Sequence, residues 1–170
     1  MQERPDDAIR RLVLEGFYQP GERISDLKLA QKLGIGRMHV RESFQRLAKE
    51  GILTVIPRRG TFVTKLEPNM VIALLEVREA IEVQAARLAA LRAPSEEIAP
   101  LRELLAVSRL SLVHHGGIYP MDLDFHEAVV RLTGNEQLTT MSRETNLLLR
   151  LARVRSTHSL KRWRESIDEH

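Results

Sequence analysis

The chain has 170 residues, 43% of them hydrophobic, with 26 Lys and Arg against 23 Asp and Glu, a net charge of +3, and no cysteine. Such a length holds one or two small domains, and the missing cysteines exclude a disulfide scaffold and thiol chemistry. No apolar run approaches the ~20 residues that span a bilayer, and MQERPDD lacks an apolar signal segment, so a cytoplasmic protein without a membrane partner is expected.

The charge is uneven. Residues 1–66 hold thirteen basic against eight acidic side chains, a net of +5, whereas residues 67–170 hold thirteen against fifteen, a net of −2. This pattern predicts two domains, a basic head over 1–66 and a mildly acidic body over 67–170.

In chain order, Pro5 to Gly16 reads as a first helix, with Ile9, Leu12, Val13 and Phe17 inward. Pro20-Gly21 signals a turn, and Arg23 is expected in a loop, as a phosphate contact. Asp26 is placed to cap a short helix carrying Leu27, Leu29, Ala30 and Leu33, which Gly34 ends by entering a left-handed conformation. Ile35 plugs the gap before a second helix that starts near Gly36 or Arg37 and stops at Gly51. On that helix Val40, Phe44 and Leu47 share one face, leaving Arg37, His39, Arg41, Gln45, Arg46 and Lys49 largely to the other. A helix fits the major groove of B-DNA, and arginine can take two acceptors of guanine or clamp a phosphate.

A two-stranded wing follows, Leu53 to Ile56 and Thr61 to Thr64, with Pro57-Arg58-Arg59-Gly60 as its turn. Arg58 and Arg59 bring charge to the tip, Gly60 lets backbone approach a groove wall, and Thr61 is counted with the same surface. A solvated basic helix with an exposed hairpin is the plainer reading of the same residues.

Lys65-Leu66-Glu67-Pro68 reads as a hinge, and the rest as helices. A long amphipathic helix covers 68–92 through Leu74, Val77, Ile81, Ala85 and Leu88. The next runs from Pro94 to about His114, a third from Pro120 to Leu132, a fourth from Glu136 to about Ser156, and a fifth from Leu160. Short connections imply an antiparallel bundle. The fold class is thus mainly α: a winged helix-turn-helix of three helices and a two-stranded wing, then an all-α bundle. Asp122 and His126 stand i, i+4 on one helix face; carboxylate and imidazole together suit a divalent metal, though such a pair is also an ordinary surface hydrogen bond.

The stretch GFYQPGERIS…LAQKLGIGRMHVRESFQRLAKEGILTVIPRRGTFV resembles the winged-helix domain of GntR-type bacterial transcription regulators over residues 8–64. The resemblance implies that Arg37, Arg41 and Gly60 meet DNA. Gly36, Met38 and His39 stand where the family usually has Ser or Thr, Thr, and Pro, which makes His39 a candidate new base or phosphate contact. DLDFHEAVVRLTGN and ESIDEH resemble two motifs of the FCD effector domain found in one branch of that family. This implies a divalent ion (Zn, Ni or Mn) held by Asp122, His126 and His170. It also implies an effector contact from Arg78, with Asn135 either touching ligand or capping the next helix. The family's fourth ligand lies on a helix beyond His170, so the effector domain is expected to be shortened at its C-terminal end.

The resulting expectation is a homodimeric transcription regulator, expected to repress, that reads a palindromic double-stranded operator. A small carboxylate or sugar-acid effector, coordinated through the metal, would control it. Two alternatives stand beside it: a metal-dependent hydrolase, for which no separate acid, base or nucleophile stands at recognisable spacing, and a constitutive DNA-binding module with a degenerate effector domain.

Overall fold

In the computed structural model the described residues are 3–103 and 121–154, with backbone alone for 121–124. They form two compact units. Residues 3–72 cluster with 147–154, and 73–103 with 121–146.

The first unit opens with α1 (Pro5–Leu14), which has proline in its first turn, where the missing N–H costs nothing. β1 (Arg23–Ile24) precedes α2 (Asp26–Leu33). The cap of α2 is Ser25, whose Oγ accepts from the Lys28 N–H at 3.3 Å; Asp26 is not the cap but the first helical residue. Gly34 ends α2 with φ 66°, as its position predicts. α3 (Arg37–Lys49) follows, capped by the backbone of Gly36, and β2 (Leu53–Ile56) and β3 (Gly60–Val63) form the hairpin.

The sheet has three strands rather than the expected two, in the order β1-β3-β2, all antiparallel. Arg23 therefore lies on a strand, paired with Phe62, and not in a loop. Two residues between a Pro-Gly turn and a helix cap are too few to show an alternating pattern, so the sequence gives β1 no periodic signal.

The core of this unit joins Ile9 and Val13 of α1, Leu29 and Ala30 of α2, Val40, Phe44 and Leu47 of α3, and Ile24, Leu53 and Val63 of the sheet. Phe17 does not join it. Its ring is exposed, with the Lys32 ammonium 3.8 Å from its centre, a cation–π contact. Leu151 is 1% exposed within the same core, and Leu147 packs on its edge. A Cβ added at Gly51 would meet Leu148 at 3.1 Å, and one at Gly16 would meet Val154 at 3.4 Å. The loops after α1 and α3 thus lie against residues 147–154.

The second unit contains most of α4 (Pro68–Arg92), a helix α5 described over 95–103, α6 (Met121–Leu132) and the first part of α7 (Glu136–Arg153). Ile81 and Ala85 of α4 pack on Val130 of α6, with Val129 and Leu138 alongside. Val77, expected inward, is exposed. The fifth helix expected from Leu160 lies outside the described residues. Among the described residues no helix is long and apolar enough to cross a membrane.

Two outcomes follow from this packing. Leu47→Ala and Leu151→Ala should each cost about 2–5 kcal/mol, because each leaves a cavity in one shared core. Urea unfolding of the full chain measures this, and a loss for Leu151→Ala below about 0.5 kcal/mol would separate residues 147–154 from the head. At the wing tip the Arg59 N–H donates to Ile56 O, and Arg58 adopts φ 62°. With Pro57 before it, that is the corner where a type II turn calls for glycine. Arg58→Gly should therefore raise stability by about 1 kcal/mol; a lower melting temperature for the variant would contradict this account of the turn.

Candidate nucleic-acid interface

Packing decides what α3 shows to solvent. With Val40, Phe44 and Leu47 buried, Arg37, Met38, His39, Arg41, Glu42, Gln45, Arg46 and Lys49 are exposed. Residues 37, 41 and 45 follow one another at one helical turn and form a single outward stripe. An open groove of about 620 Å³ separates this stripe from the wing, lined by Arg41, Gln45 and Glu42 on one side and by Val55, Pro57, Arg58, Gly60 and Thr61 on the other, with Arg23 at its edge. One rim carries a helix of major-groove width and the other an arginine-bearing hairpin.

The Arg23 guanidinium lies against the wing tip. A Cβ at Gly60 would meet its Nε at 2.9 Å and its Nη2 at 3.4 Å, and Gly60 itself has φ 114°. Glycine is needed there for the backbone angle, and the Arg23 guanidinium, the far end of a flexible side chain, fills the space beside it. Arg58 and Arg59 are exposed. Thr61, expected on the contact surface, is 8% exposed; it lines the groove but is buried.

Arg37 and Arg41 converge on one acid. Arg37 Nη2 donates to Asp26 Oδ1 at 3.2 Å and Oδ2 at 3.1 Å, and Arg41 Nε donates to Oδ2 at 2.6 Å. The hydrogen bond from Arg41 leads the effects that hold the Asp26 carboxyl below its ordinary range, with Arg37 adding to it and burial opposing. The pairing is thus present at neutral pH and is lost only as pH falls through that depressed value. Asp26 was read in the sequence as a cap, and its link to Arg37 and Arg41 spans 11 and 15 residues, too far for any local pattern to reveal.

Arg46 and His39 are placed differently from this pair. Arg46 donates to Ser43 Oγ at 3.2 Å and reaches Asp6 of α1 at 3.5 Å, which draws it away from Arg37 and Arg41. His39 is exposed on the first turn, with Nδ1 3.8 Å from Glu42 Oε2.

In the second unit the residues expected to meet an ion and an effector meet each other through a third. Arg78 Nε donates to Glu82 Oε1 at 2.5 Å, and His126 Nδ1 lies 3.2 Å from the same oxygen. Burial pushes the Glu82 carboxyl up, but hydrogen bonds from His126 and Arg78 outweigh it and hold the group below its ordinary range. Glu82 was not singled out in the sequence, although its i, i+4 spacing from Arg78 on α4 is a signal for the pair. A carboxylate on one ring nitrogen is also how metal-binding histidines are commonly oriented, so this contact fits a ligand role for His126. Among the described residues no group of three His, Asp or Glu side chains comes together, while the Asp122 side chain and His170 lie outside the described residues. Asn135 is a cap: its Oδ1 accepts from the backbone N–H of Gln137 at 3.1 Å and of Leu138 at 3.2 Å, which satisfies the first turn of α7.

The model of bacterial regulatory proteins of the gntR family matches residues 2–63, and the FCD domain matches residues 73–170. The Nta operon transcriptional regulator of Aminobacter aminovorans is 38% identical over 80% of this chain and 65% of its own length. The HTH-type transcriptional repressor RspR of Escherichia coli is 26% identical over 73% of this chain and 55% of its own. The chain thus spans less than two thirds of the length of these relatives. Among solved structures, E. coli McbR/YncC superposes with a TM-score of 0.74 over 99% of this chain and 82% of its own, at 22% identity, a likeness of fold. A putative GntR regulator from Rhodococcus sp. RHA1 gives 0.67 over 96% and 82%, at 23%. A winged head of the gntR type followed by an FCD domain places this chain in the GntR family of bacterial transcription regulators, in its FCD branch.

Proposed function

We propose that this DNA-binding regulator represses transcription as a homodimer, each head reading one half-site of a palindromic operator. The observation that carries the reading is the groove whose two rims hold Arg41 and Gln45 of α3 and Arg58 of the wing. Arginine on a groove-sized helix supplies base contacts, and arginines on the hairpin supply phosphate or minor-groove contacts. The effector is a small carboxylate or sugar acid that meets Arg78 and a divalent ion. Asp122, His126 and His170 would hold that ion, which would act as a positive anchor for the acid. Glu82 fits this arrangement as the group that orients His126 and Arg78. Asn135 is left to its cap. The acid would control the operator grip by binding one arrangement of the dimer better than the other.

Arg37→Ala and Arg41→Ala should each weaken binding to a preferred duplex by about 10- to 100-fold, the worth of one good arginine contact, with circular dichroism unchanged. An unchanged gel shift for both variants would reject these assignments. Elemental analysis of the full chain from metal-replete cells should find one divalent ion per chain, lost in His126→Ala. Removing the ion with a chelator should abolish any rise in melting temperature caused by carboxylates. Wild-type protein without metal, or a carboxylate response indifferent to the chelator, would contradict the ion's role.

A further inference from the structure

The side chain that orders the reading surface is an acid. Asp26 sits in the first turn of α2, where the helix N-terminus favours a carboxylate, and its side chain is only 22% exposed against 51% for Arg37 and 61% for Arg41. It therefore lies behind the two arginines, which extend past it toward solvent. We infer that Asp26 is a specificity-determining positioning residue: it holds Arg41 with its terminal fork outward to read a base and Arg37 in position for a phosphate, and it keeps phosphate out of the space between them. This rests on the DNA-binding reading and deepens it.

The division of roles follows from which nitrogens are held. Asp26 takes Arg41 by Nε, which leaves Nη1 and Nη2, the parallel donors that match guanine O6 and N7. It takes Arg37 by Nη2, which breaks that arginine's terminal fork and leaves Nη1 and Nε. Those donors point apart and offer only single hydrogen bonds, which a phosphate oxygen can take but which cannot make the two-point contact that reads a base edge. A long side chain already held in its working direction loses less freedom on binding than one free to rotate. The partly exposed negative charge also repels any phosphate that would slip between the guanidiniums in a wrong register, so it penalises mismatched docking more than correct docking.

The test uses the full chain. A duplex is enriched from a random pool with wild-type protein, and affinity for it is compared with affinity for the unselected pool over a range of salt concentrations. Asp26→Asn should lower the ratio of the two affinities by about tenfold or more. Its affinity for the unselected pool should hold or rise, with a salt dependence at least as steep, because a repulsive charge is gone. Arg41→Lys keeps the charge but has neither Nε nor the fork, and it should lose the same preference while retaining pool binding. If Asp26→Asn keeps the ratio within about twofold of wild type, the proposal is overturned whatever Arg41→Lys does. If Asp26→Asn loses helicity, Asp26→Glu, which keeps a carboxylate in the first turn of α2 but moves it out of line with Arg41 Nε, decides by the same ratio. If wild-type protein enriches no duplex and binds none at low salt, the DNA-binding reading itself fails, an outcome distinct from the failure of Asp26 alone.

Discussion

Burial of Val40, Phe44 and Leu47 is the constraint from which the head follows. Three apolar side chains at spacings of four and three fix the rotation of α3 about its own axis, and turning it would place guanidiniums in the core at a cost of several kcal/mol per charge. The outward stripe of Arg37, Arg41 and Gln45 is the complement of that packing. The hairpin enters through the same core, since Leu53 and Val63 pair across the sheet and are both buried. Hydrophobic burial thus sets the distance between a basic helix and a basic hairpin, and so defines the groove between them.

Electrostatics then refines what packing has placed. The head is net positive, yet its most central arginines are tied to acids: Arg37 and Arg41 to Asp26, Arg46 to Asp6, and Arg10 to Glu50. Exposed ion pairs contribute little to stability, so their effect is better sought in where the guanidiniums point. The wing-tip arginines differ. Arg58 occupies a strained corner, and Arg59 stands beside a glycine whose open face is filled by Arg23. The second unit repeats the motif of a shared acid, with Glu82 between Arg78 and His126.

The helices of the head were legible because their signals are local. Gly34 takes the left-handed angle its position predicts, and the apolar spacing along α3 gives its buried face. The third strand was not legible, since two residues carry no period. The cap of α2 was misplaced by one residue because Ser25 and Asp26 are both good caps and sequence alone does not rank them. Phe17 and Val77 were expected inward from spacing, but spacing gives a face and not where the packed surface ends. The exposed ring of Phe17 is instead covered by Lys32, a contact between separate elements. The convergence on Asp26, the contact of Arg23 with Gly60 and the membership of Leu151 in the head's core all join residues distant in sequence, and only the fold brings these together. In the second unit, the helical spacing of Asp122 and His126 is borne out by α6, and of the two roles read for Asn135 the cap is present.

On this reading α3 and the wing face duplex DNA together. The absence of cysteine allows a single photo-crosslinking probe to be placed at will. Cysteines introduced at Gln45 and Arg59, each carrying a benzophenone, should crosslink to one strand region of an enriched duplex, about half a helical turn apart, while the same probe at the exposed Arg11 of α1 should not. Crosslinks from Arg11 alone, or none from either groove position while the protein remains bound, would contradict the account.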